Sequence, residues 1–254
     1  MTELRIETSG RIATITLDRP PVNALTMALY ERIAEIFEEL GGSLEVNCAI
    51  LTSAGERAFC AGLDLNEFLA ATVEDDPKRA AIVRRTFSAV RNCAVPVIAA
   101  VNGPALGAGC VLSSVCDIRV ASDRATFGLA EINVGRCGGG AHIGRLVPQG
   151  IVRRMFFTGQ PLSAAEAYRV GLVDQLVSPP ELMPAASELA RVIASKSPLG
   201  LRYGKKALNE SEFLPLDEGY ALEQTYSTRL MQTQDAKEAT RAVLEKRPPV
   251  FEGR

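Results

Sequence analysis

The chain has 254 residues, 47% of them hydrophobic and 23% charged, with a formal net charge of −2. That balance suits a soluble globular protein built as one large domain, or as a domain with an appendage. Interspersed charges of both signs, few aromatics and no Trp argue against a nucleic-acid surface, an anionic-membrane patch or a stacking platform.

Residues 4–8 and 12–17 alternate apolar and polar around Ser9-Gly10, which predicts a hairpin. Asp18-Arg-Pro-Pro21 breaks the second strand. Thr26 then caps a predicted helix with an apolar face of Leu29, Ile33, Ile36, Phe37 and Leu40, ended by Gly41-Gly42. Cys48-Ala-Ile-Leu-Thr52 reads as a buried strand, residues 78–92 as a helix, and Val97-Ile-Ala-Ala-Val101 as a second buried strand. An apolar helix over about 109–116 follows, then strand-like pieces at 118–121 and 125–128, and helical periodicity that dominates beyond about residue 160. Strands alternating with helices predict an α/β core with largely parallel pairing. The expected division is a core over 1–195 and a helical region over 196–254, the latter a cap or an assembly surface.

Chemistry concentrates at Asn102-Gly-Pro-Ala-Leu-Gly-Ala-Gly-Cys-Val111. A strand emptying through glycines into a helix leaves backbone N–H groups unpaired, a natural place for a phosphate or an oxyanion. Phe59-Cys-Ala-Gly-Leu-Asp-Leu65 is a second tight element, whose Leu63 N–H can point into the same cleft as the N–H groups near Ala108. Two fixed donors on one oxygen are a strong catalytic device. The glycine spacing does not give the GxGxxG of a dinucleotide site. Cys137 with His142 lacks a third orienting residue, so a thiol nucleophile is not favoured. His142 is the only histidine, and the six cysteines form no CxxC pair, so no metal site is expected and the thiols are read as reduced. Met-Thr-Glu-Leu-Arg lacks the layout of a secretory signal and no apolar run reaches the length of a membrane span, so a cytoplasmic protein without membrane insertion is expected.

Both glycine elements resemble the oxyanion-hole motifs of the crotonase superfamily, the enoyl-CoA hydratase/isomerase family. So do Cys116-Asp-Ile-Arg-Val-Ala-Ser122, Phe127-Gly-Leu-Ala-Glu-Ile-Asn-Val-Gly135 and Glu245-Lys-Arg-Pro-Pro-Val-Phe251, in order, from Asp18-Arg-Pro-Pro-Val-Asn-Ala-Leu25 onward. The resemblance implies a superhelix of ββα units with a C-terminal helical trimerisation region, and a homotrimer or dimer of trimers. It also implies an acyl-CoA substrate whose thioester oxygen lies between the N–H groups of Leu63 and Ala108. Coenzyme A is then carried by the substrate and no separate cofactor is needed. Val22, Ala24, Ala61, Leu63, Asp64, Leu65, Ala108, Val111 and Gly135 are the expected substrate-contacting positions. Asp64 also reads as the cap of the helix that follows it.

Two departures stand out. Ala108 replaces the family's usual glycine, which costs little if its φ is negative. More consequential, family hydratases bracket a water with two glutamates; Glu131 matches the second, but Val111 occupies the first position. Moving a double bond needs only one base, so the expected activity is enoyl-CoA isomerisation by Glu131, its pKa raised among Leu129, Ala130, Ile132 and Val134. The alternatives are hydration by Glu131 with a non-standard second group, acyl-CoA decarboxylation, and a non-catalytic assembly protein. His142, just after an altered glycine run at 138–140, is a candidate for reaching the acyl end, as a catalytic or a shaping group.

Overall fold

The computed structural model describes residues 3–254. The predicted hairpin is formed by β1 (Leu4–Ser9) and β2 (Ile12–Leu17), turning on Gly10 at φ +59. In β2 the alternation is realised: Ala13, Ile15 and Leu17 are buried, and the residues between them only partly. Thr26 caps α1 (Met27–Glu39) by accepting from the Leu29 N–H at 3.2 Å. The expected apolar face is buried apart from Leu40, which sits half-exposed at the helix end.

Next come β3 (Cys48–Ser53), α2 (Leu65–Ala70), α3 (Asp76–Arg91), β4 (Val97–Val101), β5 (Ala105–Leu106) and α4 (Ala108–Ser114). β6 (Ile118–Ser122), β7 (Thr126–Gly128), a 3₁₀ turn at Glu131–Val134, α5 (Gly140–Ile143) and α6 (Gln149–Thr158) follow. After them run β8 (Leu162–Ser163), α7 (Ala164–Arg169), β9 (Gln175–Val177) and α8 (Leu182–Ala194). The chain ends in α9 (Pro198–Ser211), α10 (Leu216–Met231) and α11 (Gln234–Glu245).

The main sheet has the order β1-β2-β3-β4-β6-β9, parallel throughout except for the first hairpin; β5, β7 and β8 form a second, smaller sheet. Parallel strands must be covered on both faces, and β3 and β4 are buried along their whole length. One face packs Leu51, Val97, Ala99 and Val101 with the α1 residues Ile33 and Phe37. The other packs Ile50, Ile98 and Val120 beneath Ala186, Ala190 and Ala194, small side chains that let α8 lie close to the sheet. The helical reading beyond residue 160 is corrected by β8 and β9, two- and three-residue strands too short to carry a periodicity.

Asp117 fixes the entry to β4. Its Oδ2 accepts from the Val97 N–H at 2.7 Å and from Nζ of the buried Lys205, also at 2.7 Å, tying α9 to the sheet. Beyond that anchor, Leu216, Met231, Val243 and Leu244 are exposed on α10 and α11. Among the described residues, no helix is long and apolar enough to cross a membrane.

Candidate active site

The loop after β3 and the turn after β4 are held edge to edge. The Cys60 N–H donates to Pro104 O at 3.2 Å, and the Leu106 N–H donates to Cys60 O at 2.9 Å. Gly109 makes this approach possible, since a β-carbon there would stand 2.1 Å from Cys60 O. On its other side the loop pairs with Leu25: the Leu25 N–H donates to Gly62 O at 2.7 Å, and the Asp64 N–H to Leu25 O at 2.9 Å. Parallel pairing uses alternate residues, which leaves the Leu63 N–H with no acceptor among the described residues. The Ala108 N–H, first in α4, also has none. The two donors are neighbours: a β-carbon on Gly62 would lie 3.5 Å from Ala108 N. Ala108 is not among the positive-φ residues, so its methyl group is accommodated without backbone strain.

Glu131 opens the 3₁₀ turn and faces this pair from across Gly107. Its Oε2 is buried without a hydrogen-bond partner among the described residues. Burial holds its carboxyl above the ordinary glutamate range, opposed in part by its own backbone N–H. The expected cause is corrected in one respect: Ile132 and Val134 are exposed, because the 3₁₀ turn directs them outward. Leu129 is buried as expected, and two groups distant in sequence sense the carboxylate. The Glu131 charge acts on the thiol of buried Cys110 and on the phenol of buried Tyr30.

Val111 occupies the wall where a second carboxylate was sought. A β-carbon on Gly139 (φ +77) would stand 2.8 Å from Val111 Cγ2 and 2.6 Å from Leu129 Cδ2, so the glycine run closes directly over these two apolar side chains. His142 lies on α5 with its ring 5.5 Å from that of Phe87, edge to face, and Phe87 in turn packs 6.1 Å from Tyr30. Burial, then the charges of Arg145 and Arg91, push its pKa down. Among the described residues no hydrogen bond joins it to Glu131 or to the donor pair, and the Phe87 ring stands between it and Tyr30 in a chain of edge contacts.

Asp64 is committed to the scaffold. Oδ1 accepts from the N–H groups of Asn66 and Glu67, capping α2, and Oδ2 pairs with Arg19 at 2.8 Å. The Glu67 N–H is the main reason its carboxyl sits below the usual range. Val22 and Ala24 contribute backbone carbonyls to the same loop, accepting from the Ala61 N–H at 3.0 Å and from Arg19 at 3.1 Å. Leu65 is exposed, and Gly135 (φ +71) ends the 3₁₀ turn on the surface.

The clamping part played by Asn23 escaped sequence reasoning. Asn23, buried at φ +54, donates to Ala54 O and Ala58 O and accepts from the Arg19 N–H, clamping the loop before α1 onto the loop before Leu63. Nothing local in the sequence singles out Tyr30, buried on α1.

A family model described as enoyl-CoA hydratase/isomerase matches residues 7–254. The short-chain-enoyl-CoA hydratase of Clostridium acetobutylicum is 37% identical over 246 residues, 95% of this chain and 94% of its own. The crotonyl-CoA hydratase of Syntrophomonas wolfei is 33% identical over 250 residues, 97% and 96% of the two chains. The crystal structure of an enoyl-CoA hydratase from Bacillus anthracis superposes with a TM-score of 0.96 at 33% identity over all of both chains.

Proposed function

The chain belongs to the enoyl-CoA hydratase/isomerase family, and from that premise we propose that it adds water reversibly across the double bond of a 2-enoyl-CoA, with Glu131 as its one acid–base carboxylate. The observation that carries this reading is the position of Glu131: half-buried, with its Oε2 buried and unpartnered among the described residues, across Gly107 from two unpaired backbone donors.

The thioester oxygen accepts from Leu63 N–H and Ala108 N–H. Glu131 takes a proton from water as the water oxygen bonds to C3. The double-bond electrons move onto the thioester oxygen as an enolate, which the two donors stabilise by about 3 kcal/mol each. Glu131 then returns its proton to C2 and is left as the carboxylate, with one water added overall. A carboxyl raised by burial suits both halves of this cycle. Coenzyme A arrives on the substrate and no other cofactor takes part.

Hydration stands ahead of the double-bond shift expected from Val111 because the relatives are named as hydratases. Isomerisation is the second reading: Val111 and Leu129 line an apolar wall, and a single base suffices to take a C2 proton and return it at C4. Neither decarboxylation nor an assembly-only role gains support from a particular contact. The exposed apolar residues of α10 and α11 support a homotrimer or dimer of trimers. The test is mass spectrometry of the product from a 2-enoyl-CoA. Gain of one water supports hydration; a positional isomer formed from a 3-enoyl-CoA, with no water gained from the 2-enoyl-CoA, supports isomerisation.

A further inference from the structure

Glu131 is carried by a segment that packs nothing into the core. Between Leu129 and Ile143, both buried, no residue is buried, and residues 132–137 are all exposed. A stretch with so few apolar contacts belongs to the locally unstable part of a fold, so a reacting group placed on it has to be held by other means. Asn133 gives little help, since its Nδ2 donates to Gly159 O at 3.5 Å, the limit of a hydrogen bond.

Arg136 supplies a firmer tether. Its N–H donates to Glu131 O at 3.0 Å, closing the 3₁₀ turn directly onto the backbone of the glutamate. Its side chain crosses to two other elements. The guanidinium carbon stands 4.6 Å from the centre of the Phe68 ring on α2, and Nη2 pairs at 3.0 Å with Oδ1 of Asp76, the first residue of α3. Among the described residues, this is the one ion pair made anywhere in 130–141. Phe68 is itself placed firmly: its N–H donates to Asp64 O at 3.0 Å, and Asp64 is held by Arg19 at 2.8 Å. The tether therefore runs from the Glu131 turn to the helix that starts two residues after the Leu63 donor.

We propose that Arg136 is a positioning residue for the reaction, fixing the turn that carries Glu131 against α2 and α3 and so holding the carboxylate at its working distance from the donor pair. Arginine suits the task because its planar group stacks on a ring and pairs with a carboxylate at once. The Arg136 and Asp76 side chains are 44% and 45% exposed, so each contact biases an equilibrium by only about two- to fivefold. A tether of that strength leaves global stability almost untouched and acts on the placement of one turn. This inference rests on the reading of Glu131 as the acid–base group of an acyl-CoA site.

The test is steady-state kinetics on whichever of a 2-enoyl-CoA and a 3-enoyl-CoA the wild type turns over, with Arg136→Met, Arg136→Lys, Asp76→Asn and the Arg136→Met/Asp76→Asn double variant. Arg136→Met is expected to lower kcat about 5- to 25-fold with KM within about threefold, and to melt within about 2 °C of wild type. Arg136→Lys, which keeps the charge, should recover part of that loss. Asp76→Asn should lower kcat in the same direction. The double variant should be no more than about twofold worse than Arg136→Met alone, because both substitutions break one contact. A kcat within twofold of wild type in Arg136→Met overturns the proposal, as do losses that multiply in the double variant. A kcat loss that is matched by a lower melting point and is not relieved by lysine also overturns it, since the role is then structural. A wild type that turns over neither thioester, or a Glu131→Gln variant as active as wild type, sinks the reading of Glu131 itself and this inference with it.

Discussion

Gly107 and Glu131 are in contact across the turn that delivers α4: a β-carbon on Gly107 would stand 2.9 Å from Glu131 Oε1 and 3.4 Å from its carboxyl carbon. The same residue sits at φ +52, in the left-handed region. One position thus sets both the direction of the Ala108 N–H and the space in which the carboxylate lies.

Gly107→Ala is expected to displace Glu131 relative to the donor pair. A shift of about 1 Å costs up to about 100-fold in rate when it falls on reacting groups. Steady-state kinetics should show kcat reduced about 10- to 100-fold, with thermal unfolding confirming that the variant folds. A kcat within twofold of wild type would mean that the turn does not set the carboxylate position.

Burial makes the Glu131 charge a cost to the fold as well as an asset to the reaction. Its pKa is raised above 4.5 in the folded protein, so below that value both folded and unfolded states are protonated and nothing is lost. As pH rises through the raised folded value, the charged form is disfavoured only in the folded state and stability falls. Glu131→Gln removes that term. The variant should be more stable than wild type at neutral pH, and the gap should close as pH falls toward 4.5. Activity should run oppositely, with wild-type kcat/KM falling as pH drops through the raised folded value. A stability difference that does not change with pH would contradict the assignment of a burial-raised carboxyl.

Val111→Glu restores the second carboxylate on the wall beneath Gly139. It should raise hydration of a 2-enoyl-CoA relative to isomerisation of a 3-enoyl-CoA, measured as the ratio of the two kcat/KM values on one preparation. An unchanged ratio would place residue 111 away from the reacting carbons.

How much of this could be read from the chain depends on whether the signal is local. The Thr26 and Asp64 caps, the Gly10 turn and the buried strands β3 and β4 follow from short spacings, and each appears where those spacings put it. The two glycine motifs and Glu131 are legible as a resemblance, but their convergence depends on Gly62 and Gly109 allowing backbone contact between segments some forty-five residues apart. What escaped is non-local. Tyr30 becomes informative only when α1 and α3 pack together, and its buried phenol, like the Cys110 thiol, senses the charge of Glu131 from far along the chain. His142 is chemically suggestive by its place near the motif, and its ring packs edge to face on Phe87.

Asn23→Ala tests the clamp that composition concealed. It would remove the side-chain partner of Ala54 O and of the Arg19 N–H, leave Ala58 O only the Ser53 hydroxyl at 3.3 Å, and place alanine at φ +54. The expected cost is about 2–3 kcal/mol, read as a lower urea midpoint with an unchanged slope. A midpoint within experimental error of wild type would show that the loop holds without it.

The most direct test of the account compares wild type with Glu131→Gln on a conjugated 2-enoyl-CoA, following loss of the conjugated-thioester absorbance and, separately, binding of a saturated acyl-CoA. Wild type should bleach the chromophore, and the variant should be slower by about 10²–10⁴-fold while binding the saturated thioester within a few-fold of wild type. Bleaching by the variant at a rate within tenfold of wild type would contradict the central claim that Glu131 is the one acid–base group of this site.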